Sequence, residues 1–419
     1  MLIGIDASRA NRDHKGGVEW YSYYLIRALA RIDSKNEYML YTDKPLKGGL
    51  SDLVSDEPQH GDAKIDKDGF QEIKSYHGNF KAKVLKWPFN FFWTIGRLSL
   101  EMIFNRPDAL FIPAHTLPIF FPKKTAITIH DIGFERDRHL YSKENIGPEH
   151  AKGKKIMDWL VRIYTRGKYG ANKKDYLSWS TDFALRRAKK IITVSEFSKK
   201  EIMEIYGTDP EKIGVVHHGY NNSLYRKIED KEKIRQVLDR YGVNSPYIFY
   251  IGRLEKKKNI LSLIEAFYLM RKENEDIKHK LLLVGDASFG FDEIKFAMRE
   301  DDEIILPGWV DEEDVPYFYN GATVFAFPSL YEGFGIPLLQ SMACGIPIVA
   351  SDVASIPEVV DGSALLVDPL DVKSMADALA RAIKDDDLRG ELITNGLEHV
   401  KGFSWERCAR ETLREIEGL

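Results

Sequence analysis

The chain has 419 residues, 44% of them apolar and 30% charged, the composition of an ordinary soluble globular protein with room for two or three domains. Its formal charge of -4 supplies no basic field to draw nucleic acid, and its two cysteines, Cys344 and Cys408, match neither a zinc-ligand nor a redox spacing, so a reduced, cytoplasmic setting is expected. Met1 leads almost at once into a strand-like run, so no signal peptide is expected, and the most apolar region, 84–104, is broken by Lys86, Pro88, Arg97 and Glu101, short of the about 20 apolar residues that span a membrane.

From the N-terminus, short apolar or β-branched runs recur at Leu2–Ile5, Tyr38–Tyr41, Ala109–Ile112, Ala126–Ile129, Ile191–Val194 and Ile213–Val216. Amphipathic helical patterns separate several of them. Over Val18–Ile32, for example, Tyr21, Leu25, Ala28, Leu29 and Ile32 fall on one face. The second half repeats the alternation with Tyr247–Ile251, Leu281–Val284, Ile304–Leu306, Val324–Phe327, Ile348–Ala350 and Ala364–Val367. Strand, helix and parallel strand in turn are the grammar of a doubly wound α/β sheet. Two Rossmann-like domains are therefore expected, joined by a polar, charged link near residues 225–240. Two such sheets facing each other place their strand ends along one crevice, where open α/β folds bind ligands. Neither half carries Gly-x-Gly-x-x-Gly after its first strand, which argues against a nicotinamide or flavin oxidoreductase.

Four segments at strand ends have residues suited to chemistry. In His14-Lys-Gly-Gly-Val18, Gly16 and Gly17 let backbone amides approach a phosphate, although glycine also suits a purely geometric turn. In Thr128-Ile-His-Asp-Ile132, His130 projects from the end of an apolar strand, and Asp131 either orients its ring or caps the next segment. In Tyr250-Ile-Gly-Arg-Leu-Glu-Lys-Lys-Lys-Asn-Ile260, Arg253 and Lys258 bracket a short turn. A guanidinium fork and an ammonium together suit a diphosphate whose charge grows as a bond to it breaks. The three lysines also suit a solvated corner, and only Lys258 is expected to face a site.

The fourth segment, Ser329-Leu-Tyr-Glu-Gly-Phe-Gly-Ile-Pro-Leu-Leu-Gln340, is the most informative. The carboxylate of Glu332 is followed by two glycines around Phe334, so the backbone can press its N–H groups on a ligand with no Cβ in the way. A helix follows with Pro337 in its first turn, where a missing N–H costs nothing. Unpaired amides and the positive end of the helix dipole suit phosphate or an oxygen-rich sugar.

Together these residues resemble retaining glycosyltransferases of family 4, which have the two-domain GT-B fold. The likeness covers nearly the whole chain. The glycine loop, the His-Asp pair, Gly-Arg-Leu with Lys-Asn following, Leu-Pro-Gly-Trp-Val310 and Glu-Gly-Phe-Gly-x-Pro stand in the family's order and approximate spacing, and Phe403-Ser-Trp-Glu406 matches its last helix. The resemblance implies an acceptor-side domain over 1–225, a nucleotide-sugar domain over 226–402 and a terminal helix over 403–419 that crosses back to the first. It implies that Arg253 and Lys258 hold the donor's diphosphate, with Gly16 and Gly17 closing over it. Glu332 and the amides of Phe334, Gly335 and Ile336 would hold the sugar hydroxyls, His130 would contact the sugar from the acceptor side, and Val310 would meet the base through its main chain. The catalytic set is then His130, Glu332, Arg253 and Lys258. Retention of configuration is also implied. No metal and no cofactor are expected beyond the donor substrate, since cationic side chains and helix-end amides replace the cation. The acidic runs Asp301–Glu303 and Asp385–Asp387 then read as solvated surface.

One position departs from the family. Eight residues after Glu332 the family usually carries a second glutamate for the ribose hydroxyls, and here Gln340 stands there, which keeps an acceptor but loses charge assistance on the order of 1 kcal/mol. The form Glu-Gly-Phe-Gly-Ile-Pro-Leu-Leu is similar to mannosyltransferases of surface polysaccharide synthesis, which makes GDP-mannose the first donor to expect and a UDP-hexose the second. The expected partners are that donor and a glycan or lipid-linked acceptor. Residues 151–178 carry a net charge of +6, with Ile156, Trp159, Leu160, Ile163 and Tyr164 on one helical face, and with Trp87–Trp93 they suit either an anionic membrane or the domain's own surface. Two other readings stay open: another enzyme of the same fold, such as an epimerase or phosphorylase, and a catalytically idle nucleotide-sugar or glycan-binding partner.

Overall fold

The structure is a computed structural model that describes residues 1–55, 64–89, 92–141, 155, 158–159, 161–162, 167–298 and 303–419. The chain forms two compact units. One comprises Met1–Arg138, Ser142–His218 and Trp405–Leu419, and the other His139–Tyr141 and Gly219–Ser404. The main passage between them follows His218, ahead of the expected boundary after residue 225. The stretch 225–240 is also more than a link, because Lys231–Arg240 is a helix of the second unit, capped by Asp230 and burying Ile234, Val237 and Leu238.

In the first unit, β1 (Leu2–Asp6), β2 (Glu37–Thr42), β3 (Phe70–Glu72), β4 (Phe80–Val84), β5 (Ala109–Ile112), β6 (Thr125–Ile129), β7 (Lys190–Thr193) and β8 (Ile213–Val215) form one sheet, ordered β3-β4-β2-β1-β5-β6-β7-β8. All pairs are parallel except β3 with β4. In the second unit, β9 (Tyr247–Ile251), β10 (Lys280–Val284), β11 (Ile304–Gly308), β12 (Val324–Phe327), β13 (Ile348–Ser351) and β14 (Leu365–Val367) form a six-stranded parallel sheet ordered β11-β10-β9-β12-β13-β14. The apolar runs seen in the sequence are all of these strands but β3 and β4; the inner ones are buried almost end to end, as a sheet covered by helices on both faces requires, while the edge strands β11 and β14 expose Leu306 and Leu366. Chain order reverses between β1 and β5 in one sheet and between β9 and β12 in the other, and the crevice for ligands opens at such a switch point.

The second unit's core gathers Ile248, Tyr250, Leu263, Phe267, Leu281, Leu283 and Ala326 with Met375 and Leu379 of the helix Val372–Lys384. The first unit is closed by the helix Trp405–Glu417. Trp405 stacks on Tyr24 at 5.5 Å, and Arg31 pairs with Glu406 at 3.2 Å. Glu417 accepts from Asn36 at 3.0 Å, and Glu415 pairs with Lys190 at 3.0 Å. Both cysteines are free and buried. Among the described residues no helix is long and apolar enough to cross a membrane.

Beyond the sheet of the second unit, the loops after β9 and β10 run in contact. Gly252 N–H donates to Val284 O at 3.0 Å and Gly285 N–H to Gly308 O at 3.0 Å. Gly285 has φ +135°, and a Cβ there would sit 2.1 Å from Gly252 O. Gly285→Ala should therefore lower stability by at least about 2 kcal/mol. Gly390→Ala, in a helix with open space around the new methyl, should raise it by roughly 0.5–1 kcal/mol. Urea midpoints of the two variants test the contrast, and a Gly285 variant as stable as the parent would show that the crossing tolerates a side chain.

Candidate functional site

The segments after β9 and β12 lie at the switch point of the second unit, on neighbouring strands. After β9 the chain turns at Gly252, φ +149°, and exposes Arg253, whose guanidinium enters no ion pair among the described residues. A tight turn over Lys256–Lys258 follows. Asn259 ends it in the left-handed region at φ +56°, and its amide donates to Pro369 O at 2.7 Å. The three lysines then part. Lys256 pairs with Glu293 at 2.6 Å, Lys257 lies over the Tyr141 ring, and Lys258 Nζ meets Glu332 Oε1 at 2.5 Å.

Glu332 arrives on the loop after β12. That loop is tied to the lysine turn through Leu330 N–H, which donates to Lys257 O at 2.9 Å. Ser355 fixes it from the other side, donating to Glu332 O at 3.0 Å and standing 3.4 Å from Phe334 O. Glu332 is only 8% exposed. Burial pushes its carboxyl up, but the ammonium groups of Lys258 and Lys257 outweigh that and hold it below the usual range. It is therefore a buried carboxylate at neutral pH. Gly335, φ +101°, precedes the helix Ile336–Cys344 with Pro337 in the first turn. The amides of Phe334, Gly335 and Ile336 thus come before the helical ladder, at the positive end of its dipole.

Gln340 lies one turn further on, and its Oε1 accepts from the Tyr319 hydroxyl at 3.1 Å. Tyr319 is buried, and burial drives its phenol well above the ordinary value, so it stays a donor. Val310 is buried just beyond β11. Five residues named from the sequence, Arg253, Lys258, Glu332, Gly335 and Ile336, are thus grouped around the ends of β9 and β12. Ser355 and Asn259 hold the loops that carry them, Tyr319 holds Gln340, and sequence reasoning gave none of the three a role.

Gly16, Gly17 and His130 belong to the first unit. Gly16 caps the helix Gly17–Ile32 in extended conformation, and its amide donates to Glu19 Oε2 at 3.2 Å. A Cβ on Gly17 would meet nothing within 4 Å, so local geometry does not demand glycine there. His130 ends β6 and is buried. Its Nε2 lies 3.1 Å from Pro113 O. A carbonyl only accepts, so Nε2 carries the proton and Nδ1 is the acceptor. Burial holds the imidazole below its usual range, hence neutral at pH 7. Asp131 takes the capping role, accepting from Gly133 N–H at 3.2 Å. Tyr21 stands edge-on to the His130 ring at 4.8 Å, and His218 lies 5.5 Å from it. His218 lies three residues beyond β8, and His130 directly beyond β6, so nearness to a strand end was the signal available for it.

The aromatic and basic segments are described in part. Trp93 is buried, its indole N–H donating to Leu85 O at 2.8 Å, and Trp87 is half-buried, so of the described residues in 87–93 the large exposed one is Phe89. Ile156, Leu160, Ile163 and Tyr164 lie outside the described residues, while Lys173–Arg187 is a helix capped by Asn172. Asp385, read as surface, caps the helix Asp386–His399 by accepting from Leu388 N–H at 3.0 Å. Asp301 lies outside the described residues, and Glu303 pairs with Arg271.

The profile of Glycosyltransferase Family 4 matches residues 15–224, and that of Glycosyl transferases group 1 matches residues 230–399. The chain is 32% identical over 333 residues to O-antigen chain mannosyltransferase B of Escherichia coli, covering 77% of this chain and 84% of that protein. It is 24% identical over 301 residues to O-antigen chain mannosyltransferase RfbU of Salmonella typhimurium, covering 71% of each. Among solved structures, sucrose-phosphate synthase from Thermosynechococcus elongatus superposes with a TM-score of 0.68 at 18% identity, over 99% of this chain and 98% of that one. Anabaena HepE, solved with UDP and glucose, superposes with a TM-score of 0.64 at 15% identity, over 100% and 99%. These structural likenesses carry the GT-B fold.

Proposed function

The chain belongs to glycosyltransferase family 4, and we propose that it moves a hexose, mannose first, from a nucleotide-diphosphate sugar to a glycan or lipid-linked acceptor, with retention and without a metal ion. The observation that carries this reading is the buried Glu332 carboxylate paired with Lys258 beside the exposed Arg253, at the ends of adjacent strands. Arg253 suits the diphosphate as a bidentate fork. Lys258 sits where its ammonium both orients Glu332 and meets the charge that grows on the leaving phosphate. Glu332 then accepts from sugar hydroxyls, and the amides of Phe334, Gly335 and Ile336 donate to them. In the first unit, Gly17 offers its amide to an anion, while that of Gly16 is held by Glu19, and neutral His130 offers an acceptor nitrogen to a hydroxyl.

Positioning and charge stabilisation are the main work of this site, and no side-chain nucleophile is invoked. Two cations and a helix end supply the positive charge that a metal supplies elsewhere. Mannose is favoured by the names of the relatives. A UDP-linked hexose is the next choice, from a structural neighbour solved with UDP and glucose. Val310, through its main chain, is assigned to the base.

Gln340 is assigned to the ribose. Its oxygen is partly taken by Tyr319, which leaves the amide N–H groups to donate to a ribose oxygen. Gln340→Glu should leave kcat/KM similar or raise it by up to about fivefold, the value of one charge-assisted hydrogen bond. Inactivation by that change would refute the ribose assignment. Calorimetry with GDP, UDP and ADP in the presence of chelator tests the whole reading. Micromolar binding of one nucleotide, unaffected by chelator, is expected, followed by slow hydrolysis of the matching sugar nucleotide without acceptor. Binding without any turnover would instead mark an idle nucleotide-sugar partner.

A further inference from the structure

One surface of the first unit has no place in the chemistry above. The helix Ser99–Phe104 buries Met102 and turns Leu100, Ile103 and Phe104 outward, with Phe104 78% exposed. Beside it, Ile119 N–H donates to Ser99 Oγ at 2.7 Å, which draws Ile119 and the 51% exposed Phe120 alongside the helix. On the other flank the Trp87 ring lies against Gly96, where a Cβ would be 2.7 Å from it. The exposed Phe89 stands edge-on to Trp87 at 5.5 Å. Large apolar side chains thus protrude together from one face, more than scattered surface hydrophobics require.

Cations border them. Arg106, Lys123 and Lys124 are exposed and enter no ion pair among the described residues. Arg187 lies over the Phe121 ring at 6.0 Å. This concentration of unpaired positive charge occurs on a chain whose net charge is -4.

We propose that this face, Phe89, Leu100, Ile103, Phe104, Ile119 and Phe120 with the rim of Arg106, Lys123 and Lys124, docks on an anionic lipid bilayer. Aromatic and aliphatic side chains that stand out singly insert at the headgroup and acyl boundary, and basic residues beside them meet anionic headgroups. A second copy of the chain fits less well. Lysine is depleted at protein interfaces relative to the rest of the surface, and their cores are poor in charge. The inference rests on the reading that the acceptor is lipid-linked, because a soluble enzyme with a soluble acceptor has no use for such a face.

The test is co-sedimentation of the full chain with vesicles of phosphatidylglycerol and phosphatidylethanolamine, against vesicles of phosphatidylcholine alone. Binding to the anionic vesicles is expected, falling as salt rises. Phe104→Ser with Phe120→Ser should weaken it about tenfold or more. Lys123→Glu with Lys124→Glu should weaken it by at least about fivefold per lysine replaced and reduce its salt dependence, Arg106 remaining. Hydrolysis of donor without acceptor should be unchanged in both double variants. Wild-type protein that stays in the supernatant, or a Phe104/Phe120 variant that pellets like wild type, would overturn the proposal. So would a wild-type dimer that the same variant converts to monomer without any change in vesicle binding. Loss of donor hydrolysis with pelleting retained would count against the transferase reading and leave the docking face standing.

Discussion

Replacing Lys258 with alanine is expected to cost about 3 kcal/mol of stability at neutral pH, together with nearly all transfer activity. Breaking a buried ion pair on one side leaves the other charge uncompensated, and such losses run to roughly 3–5 kcal/mol. Here the stranded group is Glu332, 8% exposed. In the parent its carboxyl lies below the usual range because Lys258 and Lys257 outweigh its burial. A depressed carboxyl contributes stability that is present above its ordinary pKa and is lost as pH falls through the lowered one. Without Lys258, the largest group that opposes burial is gone, and the carboxyl rises from its lowered value. The variant should therefore be weakest at neutral pH, and the gap to the parent should narrow on acidification as Glu332 takes up a proton. Urea midpoints at neutral and mildly acidic pH read this directly. Lys258→Met with Glu332→Gln should recover most of the stability and none of the activity. A Lys258→Ala protein as stable as the parent at neutral pH would mean that the pair does not hold the loop.

Arg253→Ala should leave stability nearly unchanged but, like Lys258→Ala, remove nearly all catalysis. Its side chain is exposed and unpaired among the described residues, so the thermal midpoint should move by the equivalent of less than about 0.5 kcal/mol. A donor aimed at charge that develops in the transition state is worth about 2.7–4 kcal/mol. Turnover should therefore fall by roughly a hundredfold to a thousandfold, with calorimetric nucleotide binding lost. Arg253→Lys should restore only part, because an ammonium keeps the charge and gives up the planar fork. Activity within about tenfold of the parent in Arg253→Ala would remove the arginine from the phosphate site.

The strands that carry these residues were legible because a parallel sheet covered on both faces needs continuous apolar runs. β3 and β4 were not. β3 has three residues, and β4 reads Phe-Lys-Ala-Lys-Val, where Lys81 is exposed and Lys83 pairs with the buried Glu101, so its apolar run is broken twice. Lys231–Arg240 looked like a linker because its apolar stripe is only Ile234, Val237 and Leu238 in an otherwise charged segment. For the candidate site, residue types and strand ends pointed to Arg253, Lys258 and Glu332 one by one. The pairing of Lys258 with Glu332 spans 74 positions, and the loop tie from Leu330 to Lys257 is made by backbone atoms, so neither leaves a local pattern. Ser355 and Tyr319 are ordinary buried polar residues until the chain brings them to the Glu332 loop and to Gln340.

The helix Trp405–Glu417, with its Trp405–Tyr24 stack and its ion pairs to Arg31 and Lys190, has a consequence for the order in which the protein is made. Synthesis delivers the first unit's eight strands early, yet the piece that covers them emerges only after the whole of Gly219–Ser404. The nascent first unit therefore waits on the ribosome with the face around Tyr21 and Tyr24 uncovered, while the second unit, continuous over most of its length, can close as soon as it emerges. Folding of the unit that is made earlier is completed by a helix made after the other.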